Sequence, residues 1–425
     1  MRIAFTTLGC KINQFETDVI RRDLQARGNT IVPFDSEADV YIINTCSVTA
    51  KSDYQCRQVI RSATRRNSSA RVVVTGCYAE TRPDEIRNMP GVDFVIGNRD
   101  KAMIADHIMS TALPEHGQST PRVVKDPILS TLSRTRGFLK IQDGCDNRCS
   151  YCIVPLARGN SRSAFPHDVV SQFERMVEAG CPEVVLTGIH IGTYGSDLGT
   201  GTTLTEMVQM LLSVRGQARI RLSSIEPGEV TDELISALGN GLCRHLHIPL
   251  QSGDDGILAS MKRRYTAGFY LDLLEKISKR GPHVALGADV MVGFPGEGER
   301  EFQNTVNLVE RSPLTHLHVF SYSPRPGTPA AQMKSQVPEN VKKQRSEALR
   351  SLGRKKNLIF RQLSLGHQFS VVVEDKVDAQ SGFFTGLTDN YIRVRVLGSK
   401  TEHIGKEINV RIIKVEEGEN IADIL

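Results

Sequence analysis

The chain has 425 residues, and its 53 Lys and Arg against 48 Asp and Glu give a formal net charge of +5. At about 150 residues per domain, this length predicts roughly three domains. A hydrophobic fraction of 40% and a charged fraction of 24% exclude disordered, collagen-like and coiled-coil chains. No apolar run approaches the ~20 residues that span a bilayer, and the first residues lack the pattern of a signal peptide. We therefore expect a cytoplasmic protein that does not bind membranes.

Nine cysteines are the informative part of the composition. In a reducing cytoplasm, cysteines are metal ligands, catalytic groups or buried packing residues more often than disulfides. Their odd number also excludes complete pairing. The positions of the cysteines relative to the predicted elements therefore decide what they do.

Residues 1–110 are predicted to form a parallel α/β domain. Three apolar, β-branched runs (RIAFTT, DVYIINT and RVVVTG) alternate with helical patterns over Glu16–Arg27 and Ser52–Arg66. A shorter apolar run covers Asp93–Ile96. Strands that alternate with helices predict a parallel sheet with crossover connections.

A cysteine follows each of the three long apolar runs, at Cys10, Cys46 and Cys77. Ligands of parallel sheets bind at the carboxyl ends of the strands, which meet at one edge. We therefore expect these three thiols to converge on one metal site. Ordinary burial of cysteine in strands is the alternative, but it does not account for equivalent positions on three strands.

Residues 111–135 contain three prolines among polar residues and predict a linker. The alternation then resumes over residues 136–362. Candidate strands are Phe138–Ile141, Glu183–Thr187, Arg219–Ser223, His245–Pro249, Ala285–Val292 and His316–Tyr322, separated by helical patterns over Asp168–Glu178, Thr203–Val214, Thr231–Leu238, Ala267–Lys279 and Glu299–Arg311. Six such units predict a curved, partial (β/α)6 barrel with its chemistry in the loops at the carboxyl ends of the strands.

The tightest cysteine group, C-x3-C-x2-C, directly follows the first barrel strand and comprises Cys145, Cys149 and Cys152. Zinc sites usually need a fourth ligand, and none is evident nearby. Three thiolates on a four-iron cluster leave one iron open, which suits a site that binds a substrate or cofactor. A zinc knuckle that uses a distant histidine is the alternative.

Polar or glycine-rich turns follow the other barrel strands. Glycine after a strand is usually only a turn, but together these turns offer close backbone approach and polar groups for a nucleoside and an amino acid. We expect a nucleoside-containing cofactor beside the open iron. The candidate contact residues are Thr187, Gly188, Ser224, Glu226, Gln251, Val292 and Gly293.

Residues 338–362 predict one strongly basic helix, in which only Glu347 opposes eight cations after the helix start. A solvated connecting helix is the usual interpretation of a charge run. The excess favours phosphate contacts instead. The eight residues are Lys342, Lys343, Arg345, Arg350, Arg354, Lys355, Lys356 and Arg361.

Residues 363–425 consist of short alternating strands with turn signals and predict a small β-barrel. The segment carries seven Lys and Arg against ten Asp and Glu, so charge alone does not make it bind nucleic acid. Such a role would depend on Arg393 and Arg395, or on Phe383, Phe384 and Tyr391 as stacking faces. The aromatic residues are equally suited to the core of the barrel.

The string FLKIQDGCDNRCSYCIVPLARG resembles the cluster motif of the radical S-adenosylmethionine (SAM) superfamily. The order of a three-cysteine domain, a six-strand domain and a β tail resembles the methylthiotransferases, in which the tail is the RNA-binding module called TRAM. The strings TLGCKINQFETD, SYSPRPGTPAA and GLTDNYIRVRV are most similar to the branch that acts on threonylcarbamoyladenosine in tRNA. The isopentenyladenosine branch usually begins closer to GCQMN, and the ribosomal-protein branch closer to LGCPKN.

This resemblance implies an α/β multidomain enzyme with SAM and two [4Fe–4S] clusters. Cys145, Cys149 and Cys152 would hold the radical SAM cluster, and Cys10, Cys46 and Cys77 the auxiliary cluster that carries the sulfur. A radical from SAM would remove hydrogen from C2 of adenosine 37, beside the anticodon. The implied partners are the tRNA anticodon stem-loop and an electron donor such as flavodoxin or ferredoxin.

Three alternatives remain open at this stage. The substrate could be an aspartate of a ribosomal protein, or it could be isopentenyladenosine 37. A different class is a non-catalytic iron–sulfur or zinc protein that binds RNA. The three remaining cysteines, Cys56, Cys181 and Cys243, are assigned to packing, and a monomer is the default expectation.

Overall fold

The computed structural model describes residues 1–109, 135–378 and 382–425. Most of the predicted linker, residues 111–135, lies outside the described residues. The described chain forms two compact units. The first unit contains residues 1–109, 143–164 and 323–331, and the second contains residues 135–142, 165–322 and 332 onwards.

The first unit is built on a five-stranded parallel sheet in the order β2-β1-β3-β4-β5, which confirms the predicted α/β fold. Its elements are β1 (Arg2–Thr7), α1 (Lys11–Ala26), β2 (Thr30–Val32), β3 (Val40–Thr45), α2 (Ala50–Arg66), β4 (Arg71–Gly76), α3 (Cys77–Thr81), α4 (Pro83–Arg87), β5 (Phe94–Ile96) and α5 (Ile104–Met109).

Strand β3 is buried on both faces because helices cover both sides of this sheet. On one face, Tyr41 and Ile43 pack in a cluster with Ile60 of α2. On the other face, Ile42 packs in a cluster with Leu24 of α1. Successive side chains of a strand point to opposite faces, so one continuous apolar run supplies both cores.

Helix α1 begins at Lys11, five residues before the predicted start at Glu16, which was wrong. Ile12 and Phe15 are already buried in its first turns, so its apolar face begins directly after Cys10. Helix α2 starts close to the predicted position, where the Thr49 side chain accepts a hydrogen bond from the Ser52 backbone N–H.

Between residues 137 and 363 the chain alternates strands and helices. In order these are β6 (Gly137–Lys140), β7 (Gln142–Asp143), α6 (Val154–Arg158), β8 (Arg162–Ser163), α7 (Pro166–Glu178), β9 (Glu183–Thr187), α8 (Leu204–Val214), β10 (Arg219–Leu222), α9 (Asp232–Ala237), β11 (His245–His247), α10 (Asp255–Ser260), α11 (Ala267–Ser278), β12 (Ala285–Val292), α12 (Glu299–Arg311), β13 (His316–Ser321) and α13 (Glu339–Leu363).

The six predicted barrel strands form two parallel three-stranded sheets in the second unit, β10-β9-β6 and β11-β12-β13. An isolated bridge pairs Ile220 of β10 with Leu242, which precedes β11. The predicted six-strand (β/α) architecture is confirmed. Short helix α10 was not predicted.

The tail forms a closed five-stranded barrel in the order β14-β15-β16-β18-β17. Its strands are β14 (Gln368–Val377), β15 (Phe384–Thr388), β16 (Arg393–Leu397), β17 (Glu407–Glu416) and β18 (Glu419–Ile424). Closure leaves few unpaired strand edges. The barrel core includes Phe369 and Val394, and it continues into Ala285 of β12 and Phe360 of α13.

Buried charges anchor this C-terminal barrel to the amino ends of β9 and β10. The fully buried Glu183 accepts hydrogen bonds from Arg219 Nε at 2.7 Å and from Arg221 Nε at 2.8 Å. The same arginines donate to the carbonyls of Leu387 and Thr388 in the C-terminal barrel, at 2.8 and 3.0 Å. Burial alone would raise the pKa of Glu183, but the two arginines hold it well below its ordinary value.

Candidate metal centres and nucleotide-binding turns

Cys10, Cys46 and Cys77 lie at the carboxyl edge of the first sheet. They follow β1, β3 and β4, which are neighbours in register, with Thr7 opposite Asn44 and Thr45 opposite Gly76. The three thiols are close enough to interact electrostatically: burial raises the pKa of Cys46, and Cys77 and Cys10 raise it further. Cys10 is exposed while the other two are buried, so this group opens to one side.

Two glycines allow the strand ends to approach one another at this edge. Gly9 and Gly76 have φ of +103° and +100°, values that favour glycine. A Cβ on Gly9 would lie 3.1 Å from Cys46 Sγ, and one on Gly76 would lie 2.3 Å from the Thr45 carbonyl oxygen. Both glycines are therefore required for the spacing of the three cysteines.

Asn13 of α1 fixes two of these strand ends, which the sequence did not reveal. Its Nδ2 donates to the carbonyls of Leu8 and Thr45, at 2.8 and 3.0 Å. Those residues precede Cys10 and Cys46. Its Oδ1 accepts a 2.6 Å hydrogen bond from Nη2 of Arg158, at the end of α6.

Arg158 belongs to a buried charge network behind the cysteine edge. Its Nη1 lies 2.8 Å from Glu16 Oε1 and 3.0 Å from Asp143 Oδ1. Lys101 Nζ bonds to the other oxygen of Glu16 at 2.5 Å. Burial opposes the charge of Arg158, but Glu16 and Asp143 hold its pKa well above its ordinary value. The cysteine edge therefore has two fixed cations behind it, compensated by two carboxylates.

The C-x3-C-x2-C loop is half-buried and belongs to the same first unit. The Cys145 backbone N–H donates to the Gly159 carbonyl at 3.0 Å, and the Ser150 carbonyl accepts from Ala330 N–H at 2.8 Å. Gly144 has φ of +75°, and a Cβ there would lie 2.0 Å from the Asn160 carbonyl oxygen. The chain at Gly144 therefore passes close to Asn160, and the three cysteines lie in the loop between these two residues.

Helix α3, which begins at Cys77, packs against α6, which follows the cysteine loop. Asn98 Nδ2 donates to the Ala157 carbonyl at 2.7 Å and lies 3.8 Å from Cys77 Sγ. Among the described residues, no three thiol, imidazole or carboxylate groups are placed to bind a single metal ion. A [4Fe–4S] cluster binds each thiolate to a different iron, so its ligands do not meet at one point. The half-open arrangement of both triads suits clusters of this kind.

Of the predicted nucleotide contacts in the second unit, Gln251 has the strongest features of a ligand-binding residue. It holds a φ of +63°, and its backbone N–H donates to the Asp289 carbonyl at 2.9 Å. Its side chain is buried, yet Oε1 has no hydrogen-bond partner among the described residues. A buried, unpaired acceptor is costly unless a ligand satisfies it.

The other predicted contacts divide into exposed and structural positions. Ser224 is exposed, and Thr187 is buried and accepts from Ile141 N–H at 3.0 Å. Glu226 forms an ion pair with Arg263. Side chains cannot replace the two glycines: a Cβ on Gly188 would lie 2.7 Å from Ile191, and one on Gly293 2.3 Å from Lys342. Val292 is fully buried, and its carbonyl accepts from Tyr322 N–H at 2.8 Å.

Comparison with known proteins identifies the family. The family models described as "Uncharacterized protein family UPF0004" and "Radical SAM superfamily" match residues 2–97 and 139–309. The chain is 42% identical over 423 residues to threonylcarbamoyladenosine tRNA methylthiotransferase MtaB of Bacillus subtilis, covering 97% of this chain and 94% of that protein. The chain belongs to the radical SAM methylthiotransferases. It is therefore an enzyme, and its family implies SAM and a [4Fe–4S] cluster as cofactors.

Other relatives agree with this assignment. The MtaB protein of Thermotoga maritima is 36% identical, covering 98% of this chain and 95% of its own length. The tRNA-2-methylthio-N6-dimethylallyladenosine synthase of Clostridium botulinum is 31% identical, with 96% and 93% covered. The radical SAM methyltransferase TsrM from Kitasatospora setae, solved with cobalamin and a [4Fe–4S] cluster, shares the fold with a TM-score of 0.57. It is 16% identical, with 78% of this chain and 77% of that chain covered.

The basic helix of this methylthiotransferase uses half of its cations internally. Lys342 and Arg345 are buried and pair with Glu339 and Glu297. Lys356 donates to the carbonyls of Glu310 and Ser312, and Arg361 donates to the Glu416 carbonyl. The expectation of eight phosphate-contacting cations is therefore wrong for these four. The exposed cations of the helix are Lys343, Arg350, Arg354 and Lys355.

The aromatic candidates of the C-terminal barrel are also partly used. The Tyr391 ring stacks on His245 with centroids 4.1 Å apart, and Arg221 lies over it. Phe384 packs against the barrel core. Arg393 pairs with Glu374, so the proposed stacking and cationic surface is smaller than the sequence indicated.

Cys56, Cys181 and Cys243 are buried. Burial raises the pKa of their thiols to about 12, about 11 and about 12. Neutral thiols are poor metal ligands, so these three residues act in packing. No helix among the described residues is long and apolar enough to cross a membrane.

Proposed function

We propose that this chain inserts a methylthio group at C2 of N6-threonylcarbamoyladenosine 37 in tRNA. The supporting observation is the second thiol group, Cys10, Cys46 and Cys77, at one edge of the first sheet. Reductive cleavage of SAM requires one three-cysteine cluster. A second set of three thiolates provides a separate place for a sulfur donor.

The similarity values support threonylcarbamoyladenosine over the alternative nucleoside. Identity is 42% and 36% to proteins named for threonylcarbamoyladenosine, and 31% to a protein named for dimethylallyladenosine, each over nearly the full chain. The proposed division of labour places the auxiliary cluster in residues 1–110, the radical chemistry in 136–362 and RNA binding in the TRAM-like residues 363–425.

In this proposal Cys145, Cys149 and Cys152 hold the radical SAM cluster, and Cys10, Cys46 and Cys77 hold a second [4Fe–4S] cluster. When bound, these clusters and SAM supply the electron, the radical and the sulfur. The C–H bond at C2 of adenine is neither acidic nor polarised enough for a side-chain base. The chain therefore needs no catalytic acid or base, and its residues hold the cofactors and the base in place and exclude water.

The proposed partners follow from this reaction. The substrate is the anticodon stem-loop of tRNA, which places the enzyme in the cytoplasm. The electron comes from a small donor protein such as flavodoxin or ferredoxin. Gln251, whose Oε1 is buried without a partner, is the strongest candidate for a SAM contact.

Anaerobic reconstitution with iron, sulfide, SAM and modified tRNA tests the proposal. Two clusters predict about eight irons per chain, and stoichiometric zinc would contradict it. Cys149→Ala should abolish 5′-deoxyadenosine. Cys46→Ala should continue to produce 5′-deoxyadenosine without methylthio product. Loss of both products in Cys46→Ala, with the radical cluster intact, would overturn the assignment of the two sites.

A further inference from the structure

Within the described part of the chain, β13 is an edge strand of the three-stranded sheet β11-β12-β13. Helix α13 covers one face of it, where a Cβ on Gly353 would lie 3.0 Å from Leu317 Cβ. Alternate residues point to opposite faces, so Leu317 and His318 lie on opposite faces of β13. Its side chain is 76% exposed.

His318 is held in place by the half-buried carboxylate of Asp289. Its Nδ1 lies 2.9 Å from Asp289 Oδ1, and the other carboxylate oxygen is 3.2 Å from His247 Nε2. With Nδ1 engaged, His318 Nε2 has no partner among the described residues. The hydrogen bond to Asp289 raises the pKa of His318, although burial and Arg350 oppose this.

Arg350 of α13 lies at the same open edge. Its Nη2 donates to the Val319 carbonyl at 3.1 Å, next in sequence to His318. Its guanidinium makes no other hydrogen bond to the described residues, and the residue is exposed. The edge therefore presents a guanidinium with unused N–H donors near the exposed ring of His318.

We propose that His318 and Arg350 bind the carboxylate of the threonylcarbamoyl group on adenosine 37, an assignment that rests on the proposed function. A guanidinium offers paired N–H donors that match a carboxylate. In its imidazolium form, with Nδ1–H donating to Asp289, His318 adds Nε2–H as a third donor. Both carboxylate oxygens of Asp289 already face the rings of His247 and His318, which reduces its repulsion of the ligand. This site would distinguish threonylcarbamoyladenosine from substrates that lack the carboxylate.

Binding of synthetic anticodon stem-loops to the reconstituted enzyme tests this inference. Three RNAs are compared by fluorescence anisotropy: one with threonylcarbamoyladenosine 37, one with its methyl ester and one with unmodified adenosine. The wild-type enzyme should bind the free carboxylate roughly 10- to 100-fold more tightly than the other two, since charged hydrogen bonds contribute on that scale. His318→Gln and Arg350→Gln should each weaken binding of that RNA by about tenfold or more.

The same variants should bind the ester and the unmodified RNA as the wild-type enzyme does. Equal weakening for all three RNAs would show that the pair contacts a backbone phosphate, which would overturn the carboxylate assignment. Matched controls are Arg300→Gln and His167→Gln, exposed residues that pair with Glu301 and Asp168. Both should retain the preference.

The proposed function and the carboxylate assignment are tested by different outcomes. Absence of any methylthio product from threonylcarbamoyladenosine RNA with the wild-type enzyme would contradict the proposed function. Normal product formation, with a carboxylate preference unchanged in His318→Gln and Arg350→Gln, would overturn this inference alone. Iron content and circular dichroism establish that each variant is folded.

Discussion

Replacement of Glu183 by Gln tests the anchoring of the C-terminal barrel. Glu183 is fully buried and accepts three hydrogen bonds of 2.7–2.9 Å from Arg219 and Arg221. Gln retains the shape and removes the charge, so the buried Arg221 loses its carboxylate partner and Arg219 is left with Glu407. Removing one partner of a buried ion pair costs about 3–5 kcal/mol of unfolding free energy. We expect a loss of this size, confined to the second unit.

Urea unfolding at neutral pH measures the loss, and hydrogen exchange of β15 locates it, because Leu387 and Thr388 accept from the same arginines. The exposed Glu347, paired with Arg354, is the matched control, and Glu347→Gln should leave stability unchanged. A loss below about 1 kcal/mol for Glu183→Gln, or unchanged exchange in β15, would refute the reasoning.

The pH dependence of the same variant provides a second check. The folded-state pKa of Glu183 lies well below its ordinary value of 4.5. Its charge therefore stabilises the fold above that value, and the stabilisation is lost as the pH falls towards the folded-state pKa. The difference between wild type and Glu183→Gln should be full at pH 7 and should shrink progressively below about pH 4.5.

Three further predictions concern the sites themselves. Arg158→Gln should lower the reconstituted iron from about eight to about four per chain and remove the electron paramagnetic resonance signal of the auxiliary cluster. The reason is that Asn13 loses its hydrogen bond of 2.6 Å from Arg158. Full iron content would contradict this. Gly76→Ala should lower the free energy of unfolding, measured by thermal unfolding, by at least about 2 kcal/mol. Gly28 has φ of +81° and open space around it, so Gly28→Ala should lower it by about 1 kcal/mol. Equal losses would refute the steric argument. Gln251→Ala should weaken SAM binding in equilibrium dialysis by about tenfold at unchanged iron content, and unchanged SAM affinity would remove it from the cofactor site.

The alternating strands and helices were predictable because the sequence patterns that indicate them are local. Strand β9 and helix α12 coincide with their predicted ranges, since apolar runs and amphipathic periods are short-range features of the sequence. The placement of Cys10, Cys46 and Cys77 at one edge followed from the same alternation. The early start of α1 was missed because the evidence for it is confined to the first turns, where Ile12 and Phe15 are buried.

The partners of the buried charges were not predictable because they are distant in sequence. Asn13 and Arg158 are separated by 145 residues, and nothing in either local string indicates the other. The basic helix shows the same limit: its composition suggested a phosphate-binding face, while Lys342 and Arg345 are in fact buried within the fold. Composition reports how many charges a segment has, and only the tertiary structure reports where they are neutralised.

Nucleoside mass spectrometry of tRNA is the most direct test of the central claim. The gene is deleted from its host, and the strain is complemented with the wild-type chain, Cys46→Ala or Cys149→Ala. The 2-methylthio derivative of threonylcarbamoyladenosine should disappear on deletion, return with the wild-type chain and stay absent with both variants. Persistence of this nucleoside in the deletion strain, with no other enzyme to make it, or its return with either cysteine variant, would contradict the two-cluster account.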